Sequence, residues 1–138
     1  RLVKHACRTL LKEGNPELMN LFGFGSISQI EIDNFRIDTP LVKIGDMLSF
    51  SFQLINKSSI PKLLRLEYAI YYRKANGSLS KKVFKVSEKT YEGNSVTAIF
   101  RNQSFKLIST RKFHLGEHKV AVIVNGKEQN KFVFELIN

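Results

Sequence analysis

The chain has 138 residues, 43% of them hydrophobic. This length is sufficient for one hydrophobic core and too short for two ordinary domains. Its only cysteine is Cys7, so an intramolecular disulfide is excluded and a reducing, cytoplasmic location is favoured. The formal net charge of +10 favours polyanionic partners such as nucleic acid or an acidic membrane surface, although many basic domains use such a surplus only for solubility.

The N-terminal segment, residues 1–26, is predicted to be helical. Residues 2–13 place apolar side chains at helical spacing, and Gly14 is a typical helix stop. Pro16 then suits the first turn of a second short helix that ends before Gly23. Helices this short are marginal in water, so we expect either the following domain or an upstream one to cover their apolar faces. Because the chain opens without a signal-peptide pattern, we interpret it as a fragment of a longer protein.

From residue 27 to the C-terminus the hydrophobic period is two, which predicts β-strands with one face in the core and the other mostly in solvent, as for the face of residues 63–73 that carries Arg65 and Glu67. A phase change at Asp33 and Asn34 predicts a β-bulge, and the Asn76-Gly77 and Asn125-Gly126 pairs predict tight turns. The pattern is typical of an all-β, immunoglobulin-like or fibronectin-like two-sheet sandwich of seven or eight strands, which we prefer to a small barrel. The predicted strands cover residues 29–37, 46–56, 63–73, 81–87, 95–105, 118–124 and a last run through Phe132, Phe134 and Leu136.

No residue pattern in the chain points to catalysis, a metal or a cofactor. Cys7 lies on the apolar stripe of a short helix, where a buried small hydrophobe is the common case. His114 and His118 are four residues apart, which on a strand separates them by about 13 Å, too far for one zinc ion. No membrane partner is expected either, because no apolar run approaches the ~20 residues that cross a bilayer.

Two stretches of the chain concentrate positive charge. The stretch from Arg73 to Lys89 holds six cations and one carboxylate, and the stretch from Arg101 to Lys119 holds five and one. If both lie at one edge or end of the sandwich, they could follow a phosphate backbone. The alternative is a solvated surface whose lysines protect an edge strand from aggregation. Tyr71 and Phe113 could add stacking surface, although core membership is the more common role of aromatic residues.

Several short motifs resemble one protein family. RTLLKEGNP at residues 8–16 and LFGF at residues 21–24 are similar to the last helical stretch of AlkC-type DNA glycosylases, the HEAT-like-repeat alkylation repair proteins, some of which continue into an immunoglobulin-like domain. Leu115 departs from that domain's pattern, which has proline there, and this puts the local corner geometry in doubt. The pattern is matched by KANG at residues 74–77 with Ser80, KVFK at 82–85, Thr110-Arg111 with Phe113, Gly116 and His118, and VNG at 124–126.

The resemblance implies that residues 1–26 are the tail of an absent helical repeat domain and that residues 27–138 are an accessory immunoglobulin-like domain. The repeats would excise alkylated bases and would contact this domain within the same chain. The domain itself would be non-catalytic and would contact the backbone of alkylated duplex DNA. The alternative is a protein-interaction or structural module without DNA affinity. The DNA-contact candidates are Lys74, Lys82, Lys85, Thr110 and Arg111.

Overall fold

The computed structural model describes residues 27–107 and 112–138. The predicted helix hairpin with Cys7 and two of the predicted contacts, Thr110 and Arg111, lie outside these ranges. Within them no helix has the length and apolar character needed to cross a bilayer. The fold described below is therefore that of the predicted β-region.

The described residues form an all-β sandwich of eight strands in two sheets, which confirms the predicted fold class. The smaller sheet has the order β1-β3-β6 and the larger has the order β2-β8-β7-β4-β5. All neighbouring strands are antiparallel except β2 and β8, which run parallel. The strands are β1 Ile30–Ile37, β2 Leu41–Lys43, β3 Met47–Asn56, β4 Lys62–Arg73, β5 Leu79–Tyr91, β6 Ser95–Ser104, β7 Gly116–Val124 and β8 Lys127–Ile137.

The core lies between the two sheets and is built by alternation along each strand. In β3 every second side chain from Leu48 to Leu54 is buried, as the sequence predicts. Burying one such side chain contributes roughly 1.5–3 kcal/mol, so the alternating set decides which face of each strand turns inward. The larger sheet contributes Val42, Leu64, Leu66, Tyr68, Ile70, Val120, Val122, Val124, Phe134 and Leu136 to the same core.

The predicted bulge in β1 is present. The register of β1 against β3 shifts between Asp33 and Arg36, and Asn34 adopts a left-handed conformation with a φ of 55°. Asparagine tolerates that conformation better than most residues. The bulge turns Phe35 inward, where its ring stacks on Phe132 of the other sheet with 4.1 Å between ring centroids.

Two strands differ from the sequence prediction. The three-residue strand β2 was not predicted, because so short a segment between Pro40 and Gly45 cannot display a period of two. Strand β5 extends to Tyr91, well past the predicted end at Ser87. Its polar residues occur on both faces, as is usual in an edge strand, and this conceals its length.

The outward face of β4 was expected to meet solvent, and at two residues this expectation is wrong. Arg65 is only 5% exposed and Glu67 only 1%. The Arg65 guanidinium donates to Glu67 Oε2 over 3.3 Å and to Glu88 Oε1 over 3.0 Å. Burial raises the pKa of the Glu67 carboxyl, and the neighbouring Arg65 charge opposes that shift. The larger sheet is therefore buried on both faces along this strand, and a charge pair compensates for the lost hydration.

Asn56 holds two connections together at one end of the sandwich. Its side-chain amide donates to the backbone carbonyls of Ile60, Tyr91 and Glu92 over 3.0–3.2 Å. Its side-chain oxygen accepts from the backbone N–H and the hydroxyl of Ser58. One buried side chain thus ties the β3–β4 connection to the turn between β5 and β6.

At the opposite end an aromatic cluster surrounds the buried His118 ring. Tyr72, Phe105 and Phe134 approach it with centroid distances of 5.4–6.0 Å. His118 Nδ1 lies 3.0 Å from the Gly116 carbonyl oxygen, which can only accept, so Nδ1 carries the proton. Nε2 is buried without a hydrogen-bond partner in the described chain, and burial lowers the pKa of the imidazole. The ring is therefore held in its neutral form.

Replacement of Asn56 by alanine is predicted to destabilise the fold by about 2–4 kcal/mol, because three backbone carbonyls lose their donor. The matched control is Asn102→Ala, which removes a single exposed hydrogen bond to Ser49 and is expected to cost about 0.5 kcal/mol. The free energy of unfolding in urea measures both. Equal losses for the two variants would contradict the role given to Asn56.

The stability of the fold is predicted to decrease as the pH falls below about 6.5, the pKa of an unperturbed histidine. Because burial lowers the pKa of His118 in the folded state, the unfolded chain takes up the proton first and unfolding is favoured. Between pH 6.5 and pH 5 the loss can reach at most about 2 kcal/mol. His118→Leu is expected to flatten the curve of unfolding free energy against pH. Parallel curves for wild type and His118→Leu would refute the assignment.

Candidate nucleic-acid interface

The two basic stretches meet at the end of the sandwich where the β4–β5 hairpin approaches the start of β7. A Cβ at position 116 would lie 3.0 Å from Cδ and 3.1 Å from Nε of Arg73, so Gly116 leaves the room that this side chain occupies. Gly116 also has a φ of +121°, a conformation that side chains rarely allow. The last residue of β4 is therefore packed against the first residue of β7, which joins the two stretches in space.

Three lysines lie at this hairpin end. Lys74 is exposed in the turn of the β4–β5 hairpin, where its N–H donates to the Ser78 carbonyl over 2.7 Å. Lys106 and Lys112 are exposed in the connection from β6 to β7. Phe105, next to Lys106, packs on Tyr72 with centroids 5.8 Å apart, which keeps this connection beside the hairpin. Lys74 is thus exposed at the hairpin end, and its predicted phosphate contact stays a prediction.

Two other predicted contacts, Lys82 and Lys85, lie on opposite faces of β5. Lys82 pairs with the core residue Ile70, and its Nζ lies 5.4 Å from the centroid of Phe84 on the same inward face. Lys85 pairs with Glu67 on the outward face, and its Nζ lies 3.8 Å from a carboxylate oxygen of Glu88. The predicted contacts therefore do not form one surface, and the charge of Lys85 is partly compensated.

The inward face of β5 borders a groove along the open side of the sandwich. Here β5 and β6, the edge strands of the two sheets, lie next to each other and enclose a volume of about 280 Å³. Lys89 and Arg101 line this groove from the two strands, and Lys89 Nζ lies 5.2 Å from the centroid of Tyr91. We call the basic surface along this groove and toward the hairpin end the open-side strip. It consists of Lys74, Lys82, Lys89, Arg101 and Lys106.

Three cations of the strip, Lys82, Lys89 and Arg101, lie on β5 and β6 and face no carboxylate from these two strands. Strands β5 and β6 are described in full and contain one acidic residue, Glu88. Its carboxylate points to the other face of β5 and binds Arg65. The positive charges of Lys82, Lys89 and Arg101 are therefore available to an external anion.

The two aromatic residues considered for stacking have partners within the fold. The Tyr71 hydroxyl donates to the Glu128 carboxylate, and Lys131 Nζ lies 4.5 Å from the centroid of the Tyr71 ring. Burial, followed by the bond to Glu128, raises the pKa of the Tyr71 hydroxyl. Phe113 belongs to the aromatic cluster, with its centroid 5.1 Å from that of Phe105. A stacking role for these rings stays a prediction.

Lys89 and Arg101 belong to the two basic stretches but are not among the five contacts predicted from sequence. Each faces the core side of its strand, where apolar residues are usual. Each lies two residues after another inward-facing side chain, as alternation along a strand requires. A cation in that phase indicates a strand face that the second sheet does not cover. For Arg101 that signal was present in the sequence, whereas Lys89 shares the parity of the outward-facing Lys85 and is turned inward only by the register shift opposite Leu66 and Glu67.

A family model matches most of the chain. Residues 31–138 match the C-terminal Ig-like domain of the uncharacterised protein YhaZ. The uncharacterized protein YhaZ of Bacillus subtilis (strain 168) is 36% identical over 135 residues. That alignment covers 98% of this chain and 37% of the relative, so the chain spans little more than a third of the relative's length.

Solved structures share the fold. The alkylpurine DNA glycosylase AlkC of Pseudomonas fluorescens, bound to DNA containing an abasic site analog, is 32% identical with a TM-score of 0.89, over 98% of this chain and 38% of that one. A β-glucosidase from Listeria innocua in complex with glucose has a TM-score of 0.63 at 14% identity, over 84% of this chain and 17% of that one, which shows a shared fold alone. By the match over residues 31–138, this chain belongs to the family of YhaZ C-terminal immunoglobulin-like domains.

Proposed function

We propose that this chain is the accessory, DNA-contacting domain of a DNA alkylation repair protein. The observation that supports the proposal most strongly is the open-side strip, a row of cations without carboxylates on its own strands. It occurs on a fold that matches a DNA glycosylase bound to DNA at a TM-score of 0.89. Lysine and arginine on rigid strands suit contacts to phosphates, which position a protein on a duplex without reading its sequence.

The dimensions of the strip suit a DNA backbone. Lys82 and Lys89 are seven residues apart on β5, which corresponds to about 23 Å at ~3.3 Å per strand residue. Successive base pairs rise by about 3.4 Å, so this distance covers roughly seven steps of a duplex. Arg101 lies across the groove and Lys74 extends the row to the hairpin end. A single duplex could therefore touch all four cations.

The five contacts predicted from sequence enter this proposal with different weight. Lys74 and Lys82 are on the strip and are proposed as principal contacts. Lys85 lies on the other face beside Glu88 and is given a minor role. Thr110 and Arg111 lie between Lys106 and Lys112 in the chain, and they stay proposed contacts because those neighbours border the strip.

Catalysis is assigned to the rest of a longer parent protein. The chain covers 37–38% of the length of YhaZ and of AlkC, so both relatives have further chain in which chemistry could reside. We propose that residues 1–26 belong to a preceding helical repeat domain, that this domain excises alkylated bases, and that it contacts residues 27–138 intramolecularly. A role in protein interaction without DNA affinity is the competing function, and the exposed side chains of Val96 and Phe100 favour it.

Binding of the chain to a labelled DNA duplex is predicted to weaken steeply with salt. Fluorescence anisotropy between about 50 and 200 mM salt measures the slope, which changes by about 0.9 for each phosphate neutralised. The double variant Lys82→Glu/Arg101→Glu is expected to lower the affinity at least about tenfold and to reduce the slope by nearly two phosphates. The control, Lys127→Glu/Lys131→Glu, makes the same change in net charge on β8, which β7 and β4 separate from β5. Equal losses in both double variants, or negligible binding by wild type, would refute the proposal.

The two faces of β5 are predicted to differ in their effect on DNA binding. Lys82→Glu is expected to weaken binding at least about threefold more than Lys85→Glu, because Lys85 faces away from the groove and already interacts with Glu88. Both variants change the net charge equally and lie three residues apart, so each serves as the control of the other. A larger loss for Lys85→Glu in the same anisotropy assay would place the DNA on the outward face instead.

A further inference from the structure

One edge of β6 has no partner strand in the described part of the chain, since the smaller sheet ends with the order β1-β3-β6. Phe105 directly follows β6, and its backbone N–H and C=O bond Asp46 and Gly45 on the β3 side. Because backbone groups alternate in direction along a strand, the odd-numbered residues of β6 bond β3. The even-numbered residues therefore present their N–H and C=O groups to the open edge.

The side chains at this edge are apolar and exposed. Val96 is 60% exposed and Phe100 70%, and Ala98 is exposed between them on the same face of the sheet. β6 is ten residues long and keeps an uninterrupted register with β3. It lacks proline and has one charged residue, Arg101. Long, regular, apolar edges of this kind are templates for pairing with another strand.

The other edge strands are protected. β5 carries four lysines, and β1 is interrupted by its bulge. β2 is only three residues long. Lysines, bulges and short strands are the usual means by which sheets avoid edge-to-edge pairing. β6 has none of these three features, and the inward-facing Arg101 is its single charged residue, so it is the least protected of the four edges.

We propose that β6 is a dimerisation edge that pairs antiparallel with β6 of a second copy of this chain, with the two-fold axis at Ala98. In this register Val96 of each copy lies opposite Phe100 of the other, a favourable pair of a β-branched and an aromatic residue. Arg101 lies opposite Ser95, so the two guanidinium groups do not face each other. The strand is thus complementary to itself in both shape and charge.

Neighbouring registers match less well. A two-fold axis at Phe100 would pair the two Phe100 side chains and leave Val96 opposite Ser104. An axis at Val96 would leave Phe100 beyond the paired part of the second strand. Registers that pair even with odd residues are excluded, because only even-numbered residues offer backbone groups to the open edge. The register centred on Ala98 pairs residues 95–101 of the two copies and places both Val96–Phe100 pairs two residues from the axis.

Arg101 limits the strength of this association. Its Nη1 donates over 2.7 Å to the backbone carbonyl of Phe100, one of the acceptors at the open edge. Dimerisation displaces that contact, so we expect a weak and reversible dimer. The inference does not depend on the proposed DNA contact, because association is measured without DNA and the variants below leave the strip cations in place.

Sedimentation velocity of the 138-residue chain tests the proposal over roughly 10–500 µM, the range in which a weak interface of this size associates. We expect a shift from the 15.8 kDa monomer toward twice that mass. Ala98→Pro removes an N–H that faces only the open edge, so the fold is retained while pairing is blocked. Ala98→Val keeps the N–H and is expected to keep the dimer. Circular dichroism verifies folding, and Phe100→Lys replaces the proline variant if that variant unfolds.

A cross-linking experiment tests the register. In a Cys7→Ser background, Ala98→Cys places two thiols across the two-fold axis, where paired Cα atoms lie about 5.5 Å apart and a disulfide can form. Asn102→Cys is the control, because its counterpart lies eight residues along the strand, about 26 Å away. Rapid oxidation of the first variant alone supports the register. A monomer at every concentration, dimers of Ala98→Pro as strong as wild type, or faster cross-linking through position 102 overturns the proposal.

Discussion

Stacked aromatic rings between the two sheets hold this domain together. With a single cysteine no inter-sheet disulfide can form, and the chain contains no tryptophan. Phe35 of β1 instead lies against Phe50 of β3 and Phe132 of β8. Each ring buries a large apolar area, and each stacked pair adds roughly 0.5–1.5 kcal/mol. The Phe35–Phe132 stack therefore helps to fix the distance between the sheets on the side of β1 and β8.

Sequence and structure agree where a single local rule determines the backbone conformation. The alternation of β3, the bulge at Asn34 and the Asn125-Gly126 turn each rest on a short-range pattern with a strong physical cause, and all three are present. β2 was missed because three residues show no period. Arg65 and Glu67 were expected in solvent because charged side chains are usually exposed. Here they are neighbours on one strand face and form a buried ion pair, so both are buried despite their charge.

The candidate site was harder to derive than the fold. A spacing of three on a strand places Lys82 and Lys85 on opposite faces, and that much was readable from the sequence. The proximity of Lys89 to Arg101 was not, because it depends on which edge strands become neighbours across the sandwich. Charge on the edge strand β5 also has two physical effects, on strand pairing and on the groove. Lys89, one of the four lysines that hinder edge-to-edge pairing of β5, also lines the groove.

Most cations of the open-side strip lie on strands rather than on loops, and Arg73 anchors the hairpin that carries Lys74. Their backbone positions are fixed before any ligand arrives, so binding would order a few long side chains and no backbone segment. The entropic cost of association would then be small. Encounter with a polyanion, such as the DNA proposed above, would be governed by diffusion in the field of the domain rather than by a folding step.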